Sequence, residues 1–145
     1  MNDAPRREIA CAILIDLEGR FLLQRRDNVV NILYPGKIGL FGGHREGDET
    51  FLECVVREVR EETSYLASPE QFQHLWSYAG ADYAVNGGTL NGEYYVLRDV
   101  PVDAMEVTEG SLLVAERKDL PSLAAEFTPS VTASLAKFFG NSLCS

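Results

Sequence analysis

The chain has 145 residues, of which 46% are hydrophobic and 24% charged, and its formal net charge is −9. This balance excludes a disordered chain and predicts one compact domain over residues 1–145 with a buried core. The excess of acid argues against binding to long nucleic acids, which are polyanions held through many Lys and Arg contacts. It is compatible with a small phosphorylated ligand, because a divalent cation reverses the field locally.

The sequence also restricts the compartment in which we expect the protein. No apolar run approaches the roughly 20 residues that span a bilayer, and the N-terminal segment lacks the layout of a signal peptide. Three cysteines, Cys11, Cys54 and Cys144, are an odd number without paired spacing, which favours reduced thiols over a disulfide framework. The two histidines are too few for the usual zinc sites. We therefore expect a cytoplasmic protein without a membrane partner.

Apolar runs alternate with turn residues along the chain, and most of these runs are short enough to be strands. The strict strand–helix alternation of a doubly wound fold is absent, so the pattern predicts a mixed α/β sandwich. The predicted elements are strands at 8–16 and 20–25 joined by a hairpin, a loop at 27–37, a short apolar piece at 38–41, a helix at 50–63, strands at 71–79, 93–98 and 111–116, and a closing helix at 129–139 that stops at Gly140.

The helix predicted at residues 50–63 has the clearest signals. Thr50 and Glu53 have the spacing of a capping box at its start. At 100° per residue we expect its apolar residues to form one face, packed on the sheet, and Glu58, Glu61 and Glu62 to lie on the opposite face. The expected apolar face consists of Leu52, Val55, Val56 and Val59.

The three glutamates of this helix repel one another, since Glu58 is three residues from Glu61 and four from Glu62. In one interpretation they are a solvated acidic face, relieved by neighbours such as Arg57. In the other, bound Mg²⁺ or Mn²⁺ relieves the repulsion and keeps substrate phosphates among its ligands. The helix by itself favours the first interpretation.

The residues around the helix favour the second interpretation. Residues 43–65 resemble the Nudix box, G-x5-E-x7-R-E-U-x-E-E-x-G-U, in which U is a bulky apolar residue. Glu46 also lies where many members of that family carry a further glutamate. The positions that match in phase are Gly43, Glu49, Arg57, Glu58, Val59, Glu61 and Glu62.

The resemblance implies a fold and a set of metal ligands. The fold is a Nudix-like α/β/α sandwich with a mixed β-sheet, a catalytic loop–helix and a C-terminal helix. Glu58, Glu61 and Glu62 are implied to bind one or more divalent cations, Mg²⁺ or Mn²⁺, with help from a main-chain carbonyl near Gly42. One of these carboxylates, or a glutamate elsewhere in the chain, is implied to act on the attacking water.

The resemblance also assigns supporting roles around those ligands. Arg57 is implied to be one of the catalytic residues. Its role is to hold carboxylates in place, including that of Glu49, because its planar fork binds two oxygens at once. Gly42 and Gly43 are implied to turn tightly and approach the metal and phosphates. Glu46 belongs to the same loop.

The implied reaction is hydrolysis of a diphosphate linkage in a nucleoside diphosphate joined to another moiety, either a nucleoside triphosphate or a nucleotide conjugate. The partner would be a small nucleotide-type substrate, and the family often forms homodimers. The alternative is a catalytically weak nucleotide-binding or regulatory module on the same fold. Loss of a box glutamate would favour that alternative, and none is lost.

The sequence departs from the box at the end of the helix. Ser64 takes the place of the usual glycine, and Tyr65 takes the following apolar position. Glycine suits a left-handed helix exit, in which serine costs about 1–2 kcal/mol. We therefore expect the departures to alter the helix exit rather than the metal ligands.

Several residues outside the box are candidates for the same site. Glu106 and Glu109 are candidates for a further acidic ligand, and Arg25 or Arg26 for contact with substrate phosphates; each has a plain surface role as its alternative. Phe72, His74, Trp76 and Tyr78 alternate along one predicted strand, which favours a core face over a platform for a nucleobase. His44 has two interpretations, contact with a phosphate and a solvent-exposed loop residue. Cys54 is expected to be a small, partly buried filler rather than a nucleophile.

Overall fold

The computed structural model describes residues 4–140, and within them the chain forms a sheet with helices on both faces. No helix of this part of the chain is long and apolar enough to cross a bilayer. The strands are β1 (Arg6–Asp16), β2 (Phe21–Arg25), β3 (Ile38–Gly39), β4 (Phe41–His44), β5 (Phe72–Ala81), β6 (Thr89–Val100) and β7 (Ser111–Ala115), and the α-helices are α1 (Phe51–Thr63), α2 (Leu120–Leu123) and α3 (Pro129–Phe139).

The sheet is mixed and has β1 at its centre. Its order is β3-β2-β1-β6-β5, with β4 also paired to β1 and β7 to β2. β1 runs parallel to β6, and the other strand pairs are antiparallel. β1 therefore contacts β2 through its C-terminal half and β4 through its N-terminal half, at the same edge.

The two cores follow from the period of β1, whose side chains point alternately to opposite faces of the sheet. One core joins its odd-numbered residues, from Ile9 to Ile15, to Val131 and Leu135 of α3. The other joins its even-numbered residues to Val55 and Val59 of α1, the second set being Ala10, Ala12 and Leu14. Burial of each such Ile, Leu or Val contributes about 1.5–3 kcal/mol. The α/β/α sandwich expected from the sequence is confirmed.

The segment at 38–41 differs from its prediction. It divides into β3 and β4, and β4 continues through Gly42 and Gly43, which pair with Cys11 and Ala10. The expected tight turn at these glycines is therefore wrong. Gly42 has φ +149°, and a Cβ there would lie 2.3 Å from the carbonyl oxygen of Ala10. The position requires glycine because the strand lies so close to β1.

The boundaries of α1 agree closely with the prediction. Thr50 is the N-cap and forms the capping box with Glu53, whose backbone N–H donates to the Thr50 hydroxyl at 3.0 Å. At the other end Ser64 has φ 64° and ψ 4°, and its N–H donates to the carbonyl of Arg60. Serine thus adopts the left-handed conformation that glycine would take, and the expected change in the helix exit is absent.

The expected separation of α1 into opposite faces is wrong. Glu62 is only 7% exposed. At 100° per residue Glu62 lies about 20° from Val55, so the two residues share one stripe of the helix. The acidic and apolar residues therefore adjoin, and Glu62 is carried towards the sheet.

The aromatic residues of β5 do not share a face. A register shift between His74 and Trp76 interrupts the alternation, as expected for a bulge. Phe72 packs against Tyr95 in the core beneath α1, whereas Trp76 stacks on Tyr94 on the side of α3, with ring centroids 4.8 Å apart. The prediction of one core face is wrong, because the bulge divides these side chains between two cores.

Candidate active site

Arg57 connects the loop after β4 to helix α1. Its Nε and Nη2 donate to the two carboxylate oxygens of Glu49, at 3.0 and 2.6 Å. Its Nη1 donates to Glu58 at 2.9 Å, and Nη2 also donates to the carbonyl of His44 at 3.0 Å. Glu49 in turn accepts from the backbone N–H of Glu46 at 2.8 Å. One guanidinium thus orients two carboxylates and fixes the loop between them.

The carboxyl groups around Arg57 have different electrostatic surroundings. The hydrogen bonds from Arg57 lower the pKa of Glu49 to about 2. Burial raises the pKa of Glu58 despite its bond to Arg57, and burial raises the pKa of Glu62 to about 8. The ionised forms of Glu58 and Glu62 are therefore short of compensating positive charge.

Gly42 and Gly43 allow these two glutamates to reach the sheet. The N–H of Gly42 donates to the carboxylate of Glu62 at 2.8 Å. A Cβ added to Gly43 would lie 2.6 Å from the carboxyl carbon of Glu58. The missing side chain thus leaves room for the Glu58 carboxylate against the backbone of β4.

Glu58, Glu62 and both glycines line one cavity of about 350 Å³. Glu46 and Glu109 line it too, so one of the two acids considered outside the box reaches the site. Glu109 is held by its backbone, whose carbonyl accepts from the side chain of Gln24 at 2.9 Å. Its charge is one reason for the raised pKa of both Glu58 and Glu62.

Glu106 and Glu61 lie outside the cavity lining. The N–H of Glu106 donates to the carbonyl of Thr63, which pairs this segment with the end of α1. The Glu61 side chain is 53% exposed and accepts from Arg57 Nη1 at 3.2 Å. Its carboxylate and that of Glu62 therefore point apart, and within residues 4–140 no three acidic, histidine or cysteine side chains form a ready-made metal site.

The two candidate arginines are also separated. Arg25 pairs with Glu126 and donates to the carbonyl of Gly36, and it does not line the cavity. Arg26 lines the cavity, and its Nε donates to the carbonyl of Leu33 at 2.7 Å. The positive charge of Arg26 also acts to lower the pKa of Glu62.

Two further residues near the glutamates are His44 and Cys54. His44 is exposed and lines the cavity, so its contact with a phosphate stays a prediction, and desolvation of its ring lowers its pKa. Cys54 is buried, and its Sγ donates to the carbonyl of Gly43 at 3.5 Å. Burial raises the pKa of Cys54 to about 12, which excludes a thiolate nucleophile at neutral pH. Cys11 is likewise a buried free thiol, and Cys144 lies outside the described residues.

The donor set of the cavity fits a hard divalent cation. Carboxylate and carbonyl oxygens are the ligands that Mg²⁺ and Mn²⁺ prefer. Glu58, Glu62 and Glu109 bring three carboxylates to the lining, beside the backbone of Gly42. Burial raises the pKa of the Glu58 and Glu62 carboxyl groups, and a bound cation would favour their ionised forms.

Four further residues of the cavity lining were not predicted from the sequence. Arg7, Tyr34, Tyr83 and Ser130 come from four separate parts of the chain and meet only in the folded structure. One signal was available, because Arg7 shares the strand period of Ile9 and Cys11 and so lies on the same face of β1. The tyrosines and Ser130 carry no such signal.

Solved structures with this fold include enzymes of several organisms. A MutT protein from Methanosarcina mazei Go1 has a TM-score of 0.75 at 20% identity, covering 97% of this chain and 94% of its own. A NUDIX hydrolase from Nitrosomonas europaea has a TM-score of 0.73 at 18% identity, covering 94% and 90%. An Ap4A hydrolase from C. elegans, in a binary complex, has a TM-score of 0.68 at 18% identity, covering 92% and 96%.

At identities of 18–20% these solved structures show only that the fold is shared. Membership in a family is shown instead by a match to the sequence. No curated protein matches the chain by sequence. The family model for the NUDIX domain matches residues 5–108, which include the whole box and most of the sheet. This match supports the enzyme class expected from the sequence, a Nudix pyrophosphohydrolase. The chain belongs to the NUDIX domain family.

Proposed function

We propose that the protein uses Mg²⁺ or Mn²⁺ to hydrolyse a diphosphate linkage in a small nucleotide-type substrate. The observation that carries this proposal is the meeting of Glu58 and Glu62 in one cavity beside Gly42 and Gly43. Membership in the NUDIX domain family supports it. The proposed substrates are nucleoside triphosphates and nucleotide conjugates, a range that includes the dinucleoside polyphosphate named for the C. elegans neighbour.

Glu58, Glu62 and the carbonyl of Gly42 are the proposed metal ligands. When bound, the cation would neutralise diphosphate oxygens and lower the pKa of a bound water. Glu61 is a further proposed ligand, although its carboxylate rests on Arg57 outside the cavity. Because its side chain is 53% exposed, a change of rotamer can bring it to its neighbours at low cost.

The remaining groups position or assist these ligands. Arg57 keeps Glu58 and Glu49 oriented, and its loss would leave both carboxylates free to rotate. Arg26 is the proposed contact for substrate phosphate, because it is the arginine of the candidate pair that lines the cavity. Glu109 is the proposed acceptor of the proton from the attacking water. Among the described residues its carboxylate has no recorded hydrogen bond, so it is uncommitted.

The test is a screen of phosphate and pyrophosphate release over nucleoside triphosphates, dinucleoside polyphosphates and nucleotide sugars, with and without Mg²⁺. We expect turnover of at least one substrate that depends on Mg²⁺ and falls at least 100-fold in Glu62→Gln. Glu70→Gln is the control, since Glu70 is exposed and lies outside the cavity lining. Absence of metal-dependent turnover on every substrate would contradict the proposal and favour the nucleotide-binding module.

A further inference from the structure

The cavity continues past the glutamates along β1. Arg7, Ile9 and Cys11 occupy alternate positions, so they share one face of the strand and line the cavity together. Cys11 is paired with Gly42, whereas Arg7 lies four residues away, about 13 Å along the strand. The cavity therefore has a distal end, defined by Arg7, Tyr34, Tyr83 and Ser130.

Asp82 fixes the orientation of Arg7 at this distal end. Its carboxylate accepts from Arg7 Nε at 2.7 Å and from Nη2 at 2.9 Å, and its side chain is fully buried. The N–H of Ala84 also donates to Asp82, at 2.9 Å. These bonds, led by those from Arg7, lower the pKa of Asp82 to about 2. Nε and Nη2 of Arg7 are thus committed, and no residue from 4 to 140 bonds to Nη1, which is the nitrogen left for a ligand.

Tyr83, the next residue after Asp82, is held at both ends. Its hydroxyl is 2.9 Å from the hydroxyl of Tyr94 and 2.9 Å from that of Ser130. Its carbonyl accepts from the hydroxyl of Tyr34 at 3.4 Å. The distal end therefore offers two aromatic rings and a fixed guanidinium.

We infer that Asp82 is a positioning residue for substrate selection, which orients Arg7 to donate from Nη1 to a neutral acceptor on a nucleobase lying against Tyr34 and Tyr83. This inference rests on the proposed function, which puts the diphosphate at the glutamates. The charges of Arg7 and Asp82 offset one another, so the pair attracts a further phosphate less than an unpaired arginine would. A planar ring with a carbonyl or ring-nitrogen acceptor uses both the donor and the aromatic surfaces.

The single tryptophan of the chain gives a readout that needs no turnover. Trp76 stacks on Tyr94, and the Tyr94 hydroxyl contacts that of Tyr83. Its fluorescence can be followed while the full chain is titrated with the four common ribonucleoside monophosphates or with ribose 5-phosphate, which lacks a base. Equilibrium dialysis of the same ligands gives the dissociation constants independently of the fluorescence.

Arg7→Lys and Asp82→Asn remove the bidentate pair in two ways, and Tyr83→Phe removes the hydroxyl while keeping the ring. Asp16→Asn is the matched control. Asp16 is also a buried aspartate paired with an arginine Nε at 2.7 Å, and it lies at the opposite end of β1. The Asp16→Asn substitution therefore disturbs a similar ion pair at a residue that does not line the cavity.

For the wild type we expect at least one nucleoside monophosphate to bind tenfold more tightly than ribose 5-phosphate. Arg7→Lys and Asp82→Asn should reduce this preference to less than threefold, and Asp16→Asn should keep it. A wild type without the preference, or Arg7→Lys and Asp82→Asn variants that retain it, would overturn the inference. If Asp82→Asn does not fold, Arg7→Lys decides the question. A base preference without turnover would overturn only the proposed function, and turnover without the preference only this inference.

Discussion

The backbone N–H of Gly42 donates to the carboxylate of Glu62 at 2.8 Å, which joins the residue just before the box to the last glutamate of the box. The bond fixes a buried carboxylate against β4, at the point where Gly42 pairs with Cys11 of β1. One N–H does not offset the loss of hydration, so burial still raises the pKa of Glu62. A carboxylate held in this way is suited to act as a ligand of a cation.

Gly43→Ala should disable the site without unfolding the protein. The added methyl carbon would meet the Glu58 carboxyl group at 2.6 Å, which forces that side chain out of its position. We expect kcat/KM to fall at least tenfold, measured on the best substrate of the screen. Gly47→Ala is the control, because no atom lies within 4 Å of a Cβ there and its φ of +54° costs only about 1–2 kcal/mol. Equal kinetics for both variants would mean that Glu58 does not need its present position.

Arg57→Lys should lower activity by about 10–100-fold, the usual cost of losing a group that orients metal ligands. Lysine keeps the charge and cannot reproduce the two parallel bonds to Glu49 while also reaching Glu58. Steady-state kinetics over a range of Mg²⁺ concentrations would show a raised metal requirement. Arg60→Lys, an exposed change on the same helix, should leave the rate within twofold. A similar loss in both variants would show that the effect comes from the helix as a whole.

Glu62→Gln should stabilise the metal-free protein at alkaline pH. The folded-state pKa of Glu62, about 8, lies above its ordinary value of 4.5, so the folded protein binds the proton more tightly than the unfolded chain. Stability is therefore lost as pH rises from about 4.5 to about 8, and glutamine removes this loss. Thermal unfolding at pH 9 in a chelator should give the variant a Tm several degrees higher. A Tm below that of the wild type would show that the hydrogen bond from Gly42 to the Glu62 carboxylate stabilises the protein more than burial of the charge destabilises it.

Asp82→Asn should lower stability at neutral pH and have little effect in acid. The folded-state pKa of Asp82, about 2, is below its ordinary value of 3.8, so its pairing with Arg7 stabilises the fold above about pH 4. That contribution, on the order of 2 kcal/mol, is lost as pH falls towards 2. Urea unfolding between pH 2.5 and 7 should show a large difference between wild type and variant at pH 7 and a small one at pH 2.5. A difference that does not depend on pH would exclude ionisation of Asp82 as its source.

The sequence predicted those parts of the fold that depend on local patterns. The capping box at Thr50 and Glu53 and the alternating residues of β1 are local signals, and both elements are found. The helical period also places Glu62 on the stripe of Val55. The prediction missed this because it assigned Glu62 to the face of Glu58 and Glu61. The bulge in β5 could not be predicted, because no glycine or proline between His74 and Trp76 indicates it.

The site was predictable to the extent that it is contiguous in the chain. Residues 43–65 bring their own loop and helix, so Arg57, Glu49 and Glu58 could be assigned together. Glu109 and Arg26 reach the cavity only through the pairing of β2 with β7, which no local pattern specifies. The homodimer and the cytoplasmic location remain predictions from the sequence.

Direct binding of Mn²⁺ tests the central claim, that Glu58 and Glu62 hold a divalent cation, without requiring any substrate. Electron paramagnetic resonance of free Mn²⁺, titrated with the full chain, gives the dissociation constant. We predict that the wild type binds at least one ion per chain, that Glu58→Gln and Glu62→Gln each weaken the tightest site at least tenfold, and that Glu70→Gln leaves it unchanged. Identical affinities in all four proteins would contradict the assignment of the metal to this cavity.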